Sequence, residues 1–427
     1  MNDLTTPNPQ DAIRLADEAA AEVGTGDVGT TTVSCDVICI GVFFDGTNNS
    51  RNHVGKSGIN WHTNVDFLEQ LYAPNEEEFV PYKGQMRRFI YGKRYMRGIA
   101  VQENGTTIDW RDPANFLDGL NGGMRGMGDQ GVYVRVQEAI RQVNDLITEL
   151  SAGQSVCDIV LDVFGFSRGA AAARYFANQV QAHAITAEHG SATVRFLGLF
   201  DTVSSIYLPG QMVGLSDLPI TTSGLYGTDI FHIIAADEVR YNFPSTRAYG
   251  SEMYMVGAHS DIGGGRYEPG QSNQGFYHYN PYMARGLHNW IIEKWGVPGN
   301  TQSIARNDRG DILNGPGSPL IRGNDRATFT WQAEHGLQNV SLRLMFDKAK
   351  RSGVPLPPSV PNTIAKKDTS LDSDLSTYYS FLSENGVCTD VGFEDHIRRK
   401  YAQFSGGNDL AGAMVLEVSG ERRSIKI

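Results

Sequence analysis

Val160-Leu161-Asp162-Val163-Phe164-Gly165-Phe166-Ser167-Arg168-Gly169-Ala170-Ala171-Ala172-Ala173-Arg174 joins a β-branched apolar run to a strong helix former across five residues, Gly165 to Gly169. The pattern is that of a nucleophile elbow: strand, sharp turn and helix, with the serine on the strained turn. Glycines two before and two after Ser167 remove the Cβ atoms that would keep the turn open and hold the helix off its neighbouring strands. Such a turn aims Ser167 Oγ into a pocket. The Arg168 amide then lies at a helix N-terminus, where its N–H can face a developing oxyanion.

Working outward, a near-continuous apolar run over 35–44 reads as a strand buried on both faces of a parallel sheet. It ends in Asp45-Gly46-Thr47-Asn48-Asn49-Ser50, a loop of turn formers. Apolar spacing predicts helices over Asn64–Leu71, 132–150 and 168–183, with the next strand at 192–200 running into Asp201-Thr202-Val203. Residues 230–240 are read as a helix. A strand at 253–258 leads into His259-Ser260-Asp261-Ile262-Gly263-Gly264-Gly265, and helices follow at 283–295 and 341–351. The stretches 296–340 and 352–390, rich in Pro, Gly, Asn and Asp, read as long loops. Strands alternating with helices give an α/β fold: a hydrolase-like, mostly parallel sheet flanked by helices, with large loop insertions. Residues 1–33 read as a polar tail with a short helix near 11–23. Residues 34–427 form a single α/β domain with insertions at about 51–130 and 296–390.

The formal net charge of −11 leaves no basic stripe to neutralise phosphates, which argues against nucleic acid. Cys35, Cys39 and Cys157 lie in apolar strand-like runs and are expected as buried free thiols, Cys388 being the fourth cysteine; synthesis in a reducing cytoplasm follows. No cysteine–histidine pattern has zinc spacing, and no metal or cofactor is implied. The segment Met1–Pro7 lacks the basic start and apolar core of a secretory signal, and no apolar run is long enough to span a bilayer. A protein of this kind acting outside its cell needs another export route.

A serine hydroxyl needs a base to take its proton and a carboxylate to orient that base. The strand ends bring Asp45, Ser167, Asp201, His259 and Asp261 toward one rim. Ser167–Asp201–His259 is the simplest triad; the other arrangement takes Asp261 as acid and a more C-terminal histidine as base. Asp45 and Gly46 stand where a second oxyanion donor is expected beside Arg168. The remaining histidines, His232 among them, have no partner spacing and read as surface or core residues.

Four motifs occur in order: Phe43-Phe44-Asp45-Gly46-Thr47-Asn48-Asn49, Gly165-Phe166-Ser167-Arg168-Gly169 with the alanines after it, Leu199-Phe200-Asp201-Thr202-Val203, and Gly257-Ala258-His259-Ser260-Asp261-Ile262-Gly263-Gly264-Gly265. Together they resemble the catalytic domain of the antibacterial phospholipase effectors exported by type VI secretion systems. The resemblance implies an α/β-hydrolase fold and serine attack on phospholipid acyl esters. It further implies delivery by a contractile apparatus on a spike protein to the periplasm of a target cell, and a cognate immunity protein. One departure stands out. Where the family resemblance leads one to expect Lys-Tyr-x-His-x-Ser, this chain reads Lys400-Tyr401-Ala402-Gln403-Phe404-Ser405, and Gln403 cannot accept a proton at neutral pH. With the base position at Gln403 lost, His259 or the nearby His396 is left to act. Sequence order leans toward Asp261 as the acid. A weakened hydrolase fold kept as a binding or structural part of the secretion machinery is the alternative reading.

Overall fold

All nine residues of β1 (Asp36–Phe44) are buried, because parallel strands pair with it on both edges and helices cover both its faces. The computed structural model describes residues 35–53, 62–99, 101, 131–185, 191–208, 211–214, 218–238, 243, 245–265, 270–278, 303–306, 325–403 and 425–426. The other strands of the main sheet are β2 (Glu77–Tyr82), β3 (Gln85–Met96), β4 (Val156–Phe166), β5 (Ser191–Phe200), β6 (Asp229–Ala235) and β7 (Ser251–Met255). They lie in the order β7-β6-β5-β4-β1-β3-β2. All neighbours are parallel except the β2–β3 hairpin at one edge.

Alternation along these strands splits the core into two layers. Phe43, Phe164, Phe196 and Ile233 face α1 (Asn64–Leu71), α4 (His259–Gly263), α5 (Leu337–Arg351), α6 (Ser373–Asn385) and α7 (Val391–Tyr401). Ile40, Val42, Leu161, Val163 and Leu199 face α2 (Val132–Ser151) and α3 (Arg168–Gln181). Helices on both faces of a mostly parallel sheet make the α/β sandwich that the sequence predicts.

Several expectations need correction. Residues 230–240, expected as a helix, contain β6, an inner strand paired with β5 and β7. A short apolar run covered on both faces has no helical or alternating signature, so periodicity misassigns it. The stretch 51–130, read beyond α1 as lacking periodicity, supplies β2 and β3, and β3 pairs directly with β1. The expected loop 352–390 holds α6, whose ends are marked by an Asp372 N-cap bond to Leu375 N and by Gly386 in left-handed conformation. Helix α7 likewise starts at an Asp390 N-cap. Within the expected loop 296–340, Ser303–Arg306 and Asp325–Ala333 are strands of a small antiparallel sheet shared with Gly270–His278. The 1–33 tail and the helix expected at 283–295 lie outside the described residues.

The cysteine reading also changes. Cys35 and Cys157 precede β1 and open β4, whose parallel register brings their Cα atoms to 5.3 Å, and they form a disulfide. Cys39 and Cys388 are free and buried. A pairing across 122 residues is invisible in the sequence because only the strand register creates it. Cross-linking that span removes conformational freedom from the unfolded chain and is expected to stabilise by about 2–4 kcal/mol. Cys157→Ser, or reductant on the wild type, should therefore lower the urea midpoint by an amount worth about that energy. Identical midpoints with and without reductant would show that the cross-link contributes nothing.

Candidate active site

The C-terminal ends of β4, β5 and β7 meet on one rim of the sheet. β4 ends at Phe166, Ser167 takes φ 60° and ψ −127°, and α3 begins at Arg168. This backbone is sparsely populated for a residue with a Cβ and costs about 1–3 kcal/mol. Neighbouring chain holds it in place. Ser167 N donates to Phe200 O at 3.0 Å, and Ser167 O accepts from Val203 N at 3.2 Å. The flanking glycines are explained by contact: a Cβ on Gly165 would sit 2.5 Å from Gly169 O, and one on Gly169 would sit 2.2 Å from Asp45 O. Thus the Asp45 loop crosses directly over the start of α3. Ser167 is buried, and the Arg168 amide opens α3 at the positive end of its dipole.

At the end of β5, Asp201 is fully buried and also left-handed, with φ 38°. Its amide donates to Ile233 O at 2.7 Å. Its carboxylate Oδ2 lies 2.6 Å from His259 Nδ1. His259 is the first residue of α4, and its imidazole stacks on Phe166 at 4.6 Å between ring centroids. Phe243 closes edge-on at 5.0 Å. Since Phe166 directly precedes Ser167, this stacking sets His259 beside the elbow. With Nδ1 held by Asp201, Nε2 is the ring nitrogen on the side away from that carboxylate.

Asp261 is turned elsewhere. Its Oδ2 accepts from Ala258 N at 2.8 Å and from Gln403 N at 2.9 Å. It is the N3 residue of α4 reaching back to the N-cap amide, one half of a capping box. Burial pushes its carboxyl up to about 8, the two amide hydrogen bonds only partly opposing that rise. Among the described residues no histidine faces it, so the sequence-order leaning toward Asp261 as the acid is not matched by the geometry. The side-chain oxygen Oε1 of Gln403 is buried without a hydrogen-bond partner among the described residues. His396 pairs with Asp374 at 3.0 Å on a half-exposed face of α7.

Gly46 also differs from expectation. Its amide donates to its neighbour's Asp45 Oδ1 at 2.7 Å rather than standing open to a ligand, while Tyr95 OH donates to Oδ2. Burial raises the Asp45 carboxyl to about 6. A Cβ on Gly46 would lie 2.5 Å from the Phe166 ring and one on Gly263 only 2.0 Å from it. Both glycines therefore make room for the ring that carries His259.

Sequence reading missed Phe166 and Phe243 as the rings around the imidazole, Glu238, whose Oε2 accepts from His259 N at 3.1 Å, and His232 behind Asp201. Phe166 lies within the elbow motif but at its unspecified position, and Phe243, Glu238 and His232 belong to no spaced motif; only the fold brings these rings and the carboxylate together. Among the described residues no group of His, Cys, Asp or Glu is arranged to hold a metal, and no helix is long and apolar enough to cross a membrane.

Comparison with known proteins meets this geometry. Residues 179–294 match the family model described as the catalytic domain of the Tle1-like phospholipase effectors of type VI secretion. The matched segment includes Asp201, His259 and Asp261 and begins after Ser167. Over that stretch the chain is similar to the catalytic domain of the family that the four motifs resemble. The fold is shared with the solved Tle1 effector bound to the VgrG spike from the type 6 secretion system, at 22% identity and TM-score 0.61, over 91% of this chain and 89% of that one. A crystal structure of an uncharacterized protein from Pseudomonas aeruginosa aligns at 16% identity and TM-score 0.45, over 91% of this chain and 56% of that one. No curated protein matches the sequence.

The raised Asp261 carboxyl sets a pH dependence. A carboxyl whose folded-state pKa lies above its unfolded value binds its proton more tightly when folded. Its contribution is fully present below about pH 4 and is lost as pH rises through about 8. Asp261→Asn, which keeps an oxygen for the two amides, should flatten the fall in urea-unfolding stability across that window. An unchanged slope would mean that Asp261 is ionised at neutral pH.

Proposed function

We propose that this chain is a serine-dependent phospholipase that cleaves acyl esters of bacterial membrane phospholipid, acting as an antibacterial effector of type VI secretion. The observation that carries the reading is the 2.6 Å Asp201–His259 contact on the rim where Phe166 joins Ser167 to the imidazole. In this reading Asp201 accepts the Nδ1–H of His259 and fixes the tautomer whose lone pair lies on Nε2. His259 Nε2 takes the proton of Ser167 Oγ as the oxygen attacks the acyl carbonyl carbon. The carbonyl electrons move onto oxygen, and the Arg168 amide faces the resulting oxyanion. Collapse of this intermediate expels the lysophospholipid alkoxide, which receives the proton from His259. Water, deprotonated by the same imidazole, then releases the fatty acid and restores the serine.

Gln403 loses its weight in this scheme, because the base comes from α4 and the C-terminal segment supplies a backbone amide to Asp261. The full elbow likewise favours an active enzyme over a structural remnant. The Cys35–Cys157 disulfide supports action in an oxidising compartment such as a target cell's periplasm. A spike protein is the proposed delivery partner, since the Tle1 effector of like fold is bound to one, and an immunity protein would protect the producing cell. Residues 34–427 are proposed to work as one catalytic domain.

The decisive measurement is release of free fatty acid from phospholipid vesicles by the purified protein. Ser167→Ala should lower the rate by about three to six orders of magnitude, and Asp201→Asn and His259→Ala by at least about a thousandfold. Asp261→Asn and Gln403→His should stay within about tenfold of wild type. A fluorophosphonate should label the wild type and not Ser167→Ala. Full activity in the serine variant would overturn the assignment, and a gain of activity in Gln403→His would move the base to the C-terminal segment.

Growth gives a separate test. Sent to the periplasm of a naive bacterium, the protein should arrest growth, whereas cytoplasmic expression should be tolerated better. Equal growth in both arrangements would remove the case for a toxin.

A further inference from the structure

His232 lies in the middle of β6 with no exposed surface, and no step above uses it. Its two ring nitrogens face opposite kinds of partner. Nε2 is 3.1 Å from the backbone N–H of Thr202, which can only donate, so Nε2 must carry a lone pair. Nδ1 is 3.2 Å from Glu252 Oε1 on β7, so that nitrogen carries the proton. Glu252 is itself held in place: Oε2 meets Arg247 Nε at 2.7 Å and Oε1 accepts from Ala248 N at 2.7 Å. Burial raises the Glu252 carboxyl, but the hydrogen bonds from His232, Ala248 and Arg247 outweigh it and take the group down to about 2, so it is ionised. A single tautomer of a neutral imidazole fits both contacts.

We propose that His232 is a positioning residue for Asp201: its Nε2 lone pair anchors the Thr202 amide and thereby holds the left-handed Asp201 turn that presents the carboxylate to His259. The inference rests on the triad reading above and deepens it. The anchor matters because Asp201, at φ 38°, sits in a conformation that its neighbours must enforce. Ile233 O takes the Asp201 amide and His232 takes the next one, so β6 grips the turn at two consecutive peptides. The charged groups bearing on the ring are Glu252 from β7, Arg174 from α3 and Asp201 itself. Burial, first, and Arg174 oppose a positive charge on the ring, which favours the neutral form that the lone pair requires. Arg174 is itself fixed by three carbonyls, those of Ile220, Thr246 and Arg247.

The test compares His232→Gln and His232→Leu in the full chain. A glutamine Oε1 can stand near the position of Nε2 and accept from Thr202; leucine fills the space without an acceptor. On phosphatidylethanolamine–phosphatidylglycerol vesicles, His232→Leu should lower kcat by about a hundredfold with KM changed less than about twofold. His232→Gln should recover to within about tenfold of wild type. Equal kcat in the two variants, or a loss confined to KM, would overturn the proposal. A second readout needs no catalysis: long-range proton–nitrogen correlation on the wild type near pH 7 should show His232 neutral with its proton on Nδ1. A ring protonated at Nε2 would overturn the proposal even where His232→Leu fails to fold. Full activity of Ser167→Ala would sink the triad instead, and leave the tautomer result standing.

Discussion

The parallel register of β4 and β5 pairs Phe166 with Phe200, so two chains leave the sheet at the same level, and both leave with left-handed backbone. Ser167 hydrogen-bonds back to Phe200, Val203 returns the bond to Ser167, and Asp201 is tied to β6 through Ile233. Each turn is costly alone, about 1–3 kcal/mol, and each is held by the other's backbone. This mutual bracing fixes where the Ser167 hydroxyl and the Asp201 carboxylate stand. Below the rim the sheet core carries stacked aromatic rings such as Phe43 and Phe164, 5.1 Å apart.

His259 is set in place by a different device. Three successive amides at the start of α4 are each taken by a buried carboxylate: Gly257 N by Asp237, Ala258 N by Asp261 and His259 N by Glu238. Carboxylates at a helix N-terminus are favoured by the dipole, but crowding them in a buried space is unfavourable unless charge is neutralised. Arg398 meets Asp237 through Nε at 3.0 Å, and burial shifts Asp261 toward its protonated form. The cluster therefore reads as scaffolding that fixes the angle at which α4 presents His259. This accounts for Asp261 lying two residues from His259 without facing its ring.

Legibility in the sequence followed the range of the interactions. The elbow was readable because its determinants, two glycines, a strand and a helix, lie within a few residues and impose local sterics. The sheet ends at Asp201 and His259 were readable as strand termini followed by turn formers. What the sequence left open was decided by contacts across the sheet. Between Asp201 and Asp261 only register discriminates, since β5 and β7 flank β6 and bring Asp201 opposite the start of α4. β6 and β3 escaped for a related reason: β6 is covered on both faces, and β3 mixes Arg, Lys and Tyr because half its side chains lie on a partly open flank. Helices α6 and α7 carry legible caps, Asp372 and Asp390, but their narrow hydrophobic stripes give periodicity little to act on.

At Gln403 the chain departs from the Lys-Tyr-x-His-x-Ser pattern that the resemblance implies, yet the segment's backbone is held at the rim. The segment still docks, since Gln403 N meets Asp261 and Lys400 O accepts from Glu334 N at 2.7 Å. What it supplies to the rim is a backbone amide, which any residue but proline provides. A histidine there would have to compete with an imidazole already oriented at 2.6 Å by a fully buried carboxylate. The acid that this segment's backbone meets is Asp261, whose carboxyl burial pushes up to about 8. A protonated carboxyl stabilises an imidazolium less than an ionised one, so the burial that raises Asp261 disfavours it as a histidine's partner, whereas Asp201 already holds His259 Nδ1.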